Sequence, residues 1–256
     1  MDNLETIQSI LNRAVEACAA GLRNERPTRP RFCYPTDRDT AARLLTDAYR
    51  VEVERGQYTF TPNPDTLAQI GGVAEWLTNP ARKYSLLLYG RPGTGKTTMA
   101  RALQTMAKRL RESFGPAGRE RLQREAQAFF PPEVVREFER KEDAVIVPTY
   151  TTALTVATMA KDHRDQFDQI CEISFLILDD IGPEPKRVNS FGTEYLPIAD
   201  LIQRRYDRSL PTVITTNLGD AEISGTPQFP GYGPRIMDRL NEMCEKIPYG
   251  ARSFRV

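Results

Sequence analysis

Nine consecutive residues, Gly90, Arg91, Pro92, Gly93, Thr94, Gly95, Lys96, Thr97 and Thr98, combine side chains and spacing that can hold a polyphosphate. Gly90, Gly95, Lys96 and Thr97 satisfy the phosphate-loop pattern. Its glycines let backbone N–H groups wrap a β-phosphate, its lysine reaches β/γ oxygens, and its hydroxyl suits Mg²⁺. An apolar run precedes it and a helical pattern follows, which argues against a chance match in a glycine-rich turn. A second cluster, "FLILDDIG", sends an acidic pair out of an apolar strand. Asp179 is placed to hold magnesium through water. Asp180 stands where many ATPases carry a water-activating glutamate, and it is one methylene shorter; the alternative is a surface carboxylate. In "PTVITTNL", Asn217 ends another apolar run, where it can orient an attacking water or simply form a turn. Arg235 and Arg239 in "GPRIMDRL" lie four apart on one helical face. A γ-phosphate in its transition state is commonly neutralised by an arginine from a neighbouring molecule; a solvated basic face is the other reading.

These groups need a frame. From Pro64 onward the chain alternates helical and strand patterns: Leu67, Ile70, Val73 and Trp76 at helical spacing, then "KYSLLLY", "AVIVPTY", "SFLILDD" and "PTVITTN" as buried strands. Alternation of this kind implies a parallel sheet flanked by helices. The acidic pair lies well after the phosphate loop and a polar-ended strand comes later still. That order favours a hydrolase of the additional-strand type over a small-molecule kinase. Between the first helix after the loop and the next strand sits a charged insert, Arg111 to Asp143, with helical patterns on both sides of Pro131-Pro132.

Ahead of this domain, Leu4, Ile7, Leu11, Ala14, Val15 and Cys18 recur at helical spacing. The Pro- and Arg-rich "RNERPTRPRFCYP" should be extended, and a second helix begins near Asp37 with Ala41, Leu44, Leu45 and Ala48 inward. The break at "TFTPNPD" divides the chain into a helical extension, 1–60, and a main domain, 61–256. Two short helices bury little by themselves, so they either pack on the main domain or dock a partner.

Bulk properties set limits. With 35 Lys and Arg against 34 Asp and Glu, the net charge is +1, so any nucleic-acid contact must come from a local patch. No apolar run reaches the roughly 18 residues a membrane helix needs, and "MDNLETIQSI" is unlike a signal peptide. Cys18, Cys33, Cys171 and Cys244 show neither metal-site nor redox spacing, which fits reduced thiols in the cytoplasm. His163, in "KDHRDQ", reads as an exposed helical residue.

Taken together, "GRPGTGKTT", "LILDDIG", "RRYDRSLPTVITTNL", "YGPRIMDRL" and "GARSFR" resemble, in order, the DnaC-type helicase-loader branch of the AAA+ ATPases, which includes the transposition helper IstB. The resemblance spans roughly residues 60 to 256. It implies an α/β fold with a five-stranded parallel sheet, a small helical N-terminal extension and little or no C-terminal lid. It places Lys96 and Thr97 on Walker A, Asp179 and Asp180 on Walker B, and Asn217 on the first sensor. Arg239, with Arg235 beside it, falls on the arginine finger, and Arg255 on the second sensor, with Arg252 in an adjacent register. The implied cofactors are ATP and Mg²⁺. The implied partners are single-stranded DNA, a replicative helicase or alternatively a transposase, and further copies of the chain with active sites between subunits. Three functions stay open: helicase loader, transposition regulator, and ATP-switched scaffold without DNA. Candidate DNA contacts are "VPTYTT", the helix through Lys161 and Arg164, and "EPKRVNSFG". The insert departs from the family pattern, as does an N-terminal region without a recognisable docking signature.

Overall fold

The computed structural model describes Glu16 and residues 32–116, 145–190 and 193–250. The helix expected over Leu4–Cys18, nearly all of the insert, Arg252 and Arg255 therefore lie outside the described residues, apart from Glu16.

Five parallel strands form the central sheet: β1 (Ser85–Gly90), β2 (Thr149–Thr152), β3 (Leu176–Ile181), β6 (Thr212–Thr216) and β7 (Cys244–Tyr249), in the spatial order β2-β3-β6-β1-β7. A short antiparallel ribbon, β4 (Val188–Ser190) and β5 (Thr193–Tyr195), follows β3. The helices are α1 (Arg38–Arg55), α2 (Pro64–Thr78), α3 (Lys96–Phe114), α4 (Ala153–Asp162), α5 (Arg164–Glu172), α6 (Pro197–Asp207), α7 (Asp220–Ser224) and α8 (Pro234–Met243).

The strands are buried on both faces, which is why they read as continuous apolar runs rather than alternating ones. Leu86 and Leu88 of β1 point into a core shared with α1, α2 and α3, whereas Leu87 joins a second core with α4, α5, α6 and α8. Ile177 and Val213 divide in the same way from Leu178 and Ile214. The sheet is thus the middle of three layers.

Local signals set the helix starts. Asp37 accepts from the Thr40 N–H at the head of α1, and Asn63 accepts from Thr66 N–H with Pro64 following at the head of α2. α1 buries Ala41, Leu45, Ala48 and Tyr49 in the same core as Ile70, Val73 and Trp76 of α2. α1 therefore belongs to the same compact unit as α2 and the sheet, a unit that begins at Phe32.

Three features differ from the sequence reading. Leu67, at a helical core position, is 49% exposed. Val145 to Val147 precede their strand: β2 begins only at Thr149, whose N–H bonds to Phe175 O, because Pro148 has no donor for the ladder. The fifth strand, "CEKIPY", carries no apolar run. It is an edge strand beside β1, where Pro248 opposite Tyr89 costs the ladder little.

Candidate active site

The carboxyl ends of β1, β3 and β6 meet over the start of α3, and the phosphate loop joins β1 to that helix. Gly90 has φ +134°, and a Cβ there would stand 2.3 Å from the Tyr249 carbonyl oxygen of the adjoining strand; only glycine fits. Gly95 occupies the N-cap of α3 with φ 95° and supplies no side-chain cap, so the first-turn N–H groups face the loop's interior.

Lys96 is buried, 6% exposed, and its Nζ donates to Gly90 O and Arg91 O, both at 2.7 Å. Burial lowers its pKa to about 8, against the opposing pull of Asp180 and Asp179. Thr94 turns its hydroxyl back to Arg91 O, at 2.8 Å. Arg91 and Pro92 are exposed at the rim, and Gly93, Thr97 and Thr98 are half-buried.

Successive residues of a regular strand point to opposite faces, so two adjacent acids cannot both address one ligand. β3 solves this with a bulge. Its register to β6 shifts between Leu178 and Ile181, and Asp180 takes the left-handed conformation, φ 59°. Asp179 is buried and accepts from Thr97 Oγ1 at 3.1 Å and Thr215 Oγ1 at 2.6 Å on one oxygen, and from the Tyr150 hydroxyl at 2.5 Å on the other. Asp180 is exposed toward the cleft, its N–H held by Thr215 Oγ1 at 2.8 Å and its Oδ1 bonded by Asn217 Nδ2 at 3.2 Å.

The loop from Pro92 to Thr98, with Asp180, Thr215 and Asn217, closes one side of a cleft of about 580 Å³, and Asp179 lies behind Thr97 and Thr215. Tyr49 and Glu52 of α1 and the 56–61 connector, with Tyr58 and Phe60, close the other side. The volume suits a nucleotide. Thr97 and Asp179 are hard oxygen donors 3.1 Å apart, a set that fits Mg²⁺, which takes few protein ligands and completes its shell with water and phosphate. Among the described residues no group of three or more His, Cys, Asp or Glu forms a metal cage.

The two arginines of α8 part company. Arg235 is exposed, but Arg239 is 9% exposed, with its guanidinium 5.3 Å from the Tyr206 ring centre and one nitrogen donating to Arg235 O at 3.4 Å. Neither lines the cleft. Arg239's apolar neighbours on α8, Ile236 and Leu240, are buried, and the helix draws it in with them. Two candidate DNA contacts are also engaged within the chain. Arg164 pairs with Asp168 and Asp200 and lies over Phe167 and Tyr195, while Lys186 pairs with buried Glu184 and the Tyr232 hydroxyl. Lys161, Thr155 and Thr158 on α4 remain exposed. His163 is exposed at the junction of α4 and α5, and Cys171 and Cys244 are buried thiols. Among the described residues no helix is long and apolar enough to cross a membrane.

Sequence reasoning passed over Thr215 and took Tyr150 only as part of "VPTYTT", a candidate DNA contact, whereas its hydroxyl turns to Asp179. Thr215 was within reach, since it lies two residues before Asn217 on one face of β6. Tyr150 has no local signal; only the β2–β3 register brings it to Asp179.

Residues 86–190 match the model of the ATPase family associated with various cellular activities (AAA). No curated protein matches the chain in sequence. Among solved structures, DnaI superposes with a TM-score of 0.48 at 16% identity, over 79% of this chain and 93% of that one. The DnaC helicase loader gives a TM-score of 0.45 at 18% identity, over 74% of this chain and 92% of the other.

Proposed function

We propose that this chain, which carries an AAA ATPase domain, binds and hydrolyses ATP and uses the cycle to load a replicative helicase onto single-stranded DNA. The observation that carries the ATPase reading is the split at the end of β3, with Asp179 tied to Thr97 and Asp180 tied to Asn217. One carboxylate faces the magnesium position and the next faces the water position. The loader reading rests on the order of the sequence motifs, from the phosphate loop to "RIMDRL".

In this account the β- and γ-phosphates enter the loop and Lys96 exchanges two carbonyl oxygens for phosphate oxygens. Thr97 and Asp179 would hold Mg²⁺, which would supply charge neutralisation to the bound nucleotide. Asn217 and Asp180 hold the attacking water, and Asp180 draws its proton as the water oxygen attacks the γ-phosphorus and the bond from that phosphorus to the β–γ bridging oxygen breaks, ADP leaving with that oxygen. The remaining negative charge calls for an arginine from outside the cleft. An arginine donated between subunits must be exposed, and Arg235 meets that condition. Arg239 would first have to leave Tyr206. A neighbouring copy that supplies Arg235 makes hydrolysis depend on assembly, and the exposed Thr155, Thr158 and Lys161 of α4 give the assembly a polar surface for a single strand.

Fluorescence anisotropy at fixed salt tests the reading. A non-hydrolysable ATP analogue should raise affinity for single strands over duplex, and the nucleotide-bound protein should retain a replicative helicase in a pull-down. Equal, weak DNA binding with and without nucleotide would contradict the loader and favour the scaffold. Retention of a transposase instead of the helicase would favour the transposition regulator.

A further inference from the structure

We infer that Tyr150 is a positioning residue for magnesium, acting through Asp179; this rests on the ATPase reading above. The geometry begins with register. Thr152 of β2 pairs with Asp179 of β3, so Tyr150, two residues earlier, is a diagonal neighbour of Asp179 on the same face of the sheet. That diagonal is too long for most side chains, and a tyrosine spans it. Its hydroxyl donates to Asp179 Oδ2 at 2.5 Å, leaving Oδ1 to Thr97 and Thr215.

Arg101 of α3 holds the tyrosine from behind. Its guanidinium carbon lies 5.5 Å from the Tyr150 ring centre. Its pKa is raised, first of all by hydrogen bonding to the Tyr150 hydroxyl. Tyr150 itself is pushed up to about 12 by burial and then by its bond to Asp179. The chain Arg101–Tyr150–Asp179–Thr97 therefore runs from the cleft wall to the phosphate-loop hydroxyl.

Two effects of the Tyr150 bond oppose each other. A hydrogen bond draws charge from the carboxylate and so weakens its pull on a cation. It also fixes the carboxylate's rotation and satisfies a buried oxygen. Asp179 is 3% exposed, so without the hydroxyl its Oδ2 is left as a buried acceptor. It would relieve that by turning away from Thr97. Orientation outweighs charge withdrawal, and loss of the hydroxyl weakens magnesium binding.

The test is a titration of Mg²⁺ against a fluorescent, non-hydrolysable ATP analogue, which reads binding without turnover. Tyr150→Phe keeps the ring and removes one oxygen. Its magnesium midpoint should rise about tenfold, the scale of one charge-assisted hydrogen bond. Nucleotide binding in EDTA should stay close to wild type, and the thermal midpoint should fall only by the few degrees that one lost buried hydrogen bond costs. Arg101→Lys, which keeps the charge but loses the planar contact, should shift the midpoint in the same direction by a smaller factor. An unchanged midpoint in folded Tyr150→Phe overturns the inference. If that variant does not fold, the Arg101→Lys titration decides in the same way, a shift supporting the inference and an unchanged midpoint overturning it. A wild-type protein whose nucleotide binding ignores Mg²⁺ would overturn the ATPase reading with it, whereas a normal wild-type response with an unmoved variant would sink the Tyr150 role alone.

Discussion

Lys96 and Arg205 are both buried cations without a paired carboxylate in bonding contact, yet they sit at opposite ends of the sheet and differ in what surrounds them. Arg205, on α6, is fully buried. It donates to Thr212 Oγ1 at 2.7 Å, Cys171 O at 3.2 Å, Ile173 O at 2.7 Å and Pro211 O at 2.8 Å. Those acceptors end α5 and open β3 and β6, so the guanidinium clamps three chain segments where no ligand has room. Lys96 instead bonds to two carbonyls of a loop whose N–H groups point at the same space. Its partners are replaceable by phosphate oxygens, and Arg205's are not. Burial of a charge therefore marks a working group only where the partners can be exchanged.

The contrast is broken most sharply by deleting each cation. Lys96→Ala should abolish tight ATP binding in a fluorescent-nucleotide titration while leaving the fold intact, because a desolvated charge is removed and only two carbonyls of the loop beside the cleft lose their donor. Near wild-type affinity in this variant would place the phosphates elsewhere. Arg205→Met should do the reverse. Several buried acceptors lose their donor at about 1–3 kcal/mol each, so urea unfolding should show a loss of about 3 kcal/mol or more. Whatever fraction stays folded should bind ATP normally. A stability change within about 0.5 kcal/mol would mean that the clamp is idle.

A smaller effect separates the two by pH. Burial lowers the Lys96 pKa to about 8 and the Arg205 pKa to about 10. Bound phosphates raise the Lys96 pKa, so ATP affinity should fall as pH climbs above about 8, by at most about tenfold per unit. Calorimetry in buffers of different ionisation enthalpy should register proton uptake on binding near pH 8. The stability of the empty protein carries the opposite sign. Its Lys96 pKa lies below the ordinary 10.5, so the unfolded chain holds more protons between about 8 and 10.5, and Lys96's contribution to stability rises with pH across that window. Affinity that is flat from pH 7 to 9 would remove Lys96 from the phosphates.

The same contrast explains what could be read from the sequence. The phosphate loop, Asp179, Asp180 and Asn217 are legible because their chemistry is local: glycines at fixed spacing, or a polar residue ending an apolar run. The parallel sheet follows from runs such as Leu86–Leu88 and Ile177–Leu178. Strand β7 was not locatable, because an edge strand has one neighbour and tolerates Glu245, Lys246 and Pro248. Helical spacing alone put Leu67 inside and gave Arg235 and Arg239 one environment. The packing of α8 turns Arg239 onto Tyr206 and leaves Arg235 outside. Tyr150 and Arg205 act across strand registers and turns, and a linear pattern carries no trace of either.

The account's central claim is that the bulge at the end of β3 gives two adjacent carboxylates separate tasks. It is tested most directly by measuring ATP binding and steady-state turnover side by side in Asp180→Asn. The account predicts affinity within a few-fold of wild type and turnover lower by about 10²–10⁴-fold, the range of a lost general base. Turnover equal to wild type would contradict it and return Asp180 to a turn residue.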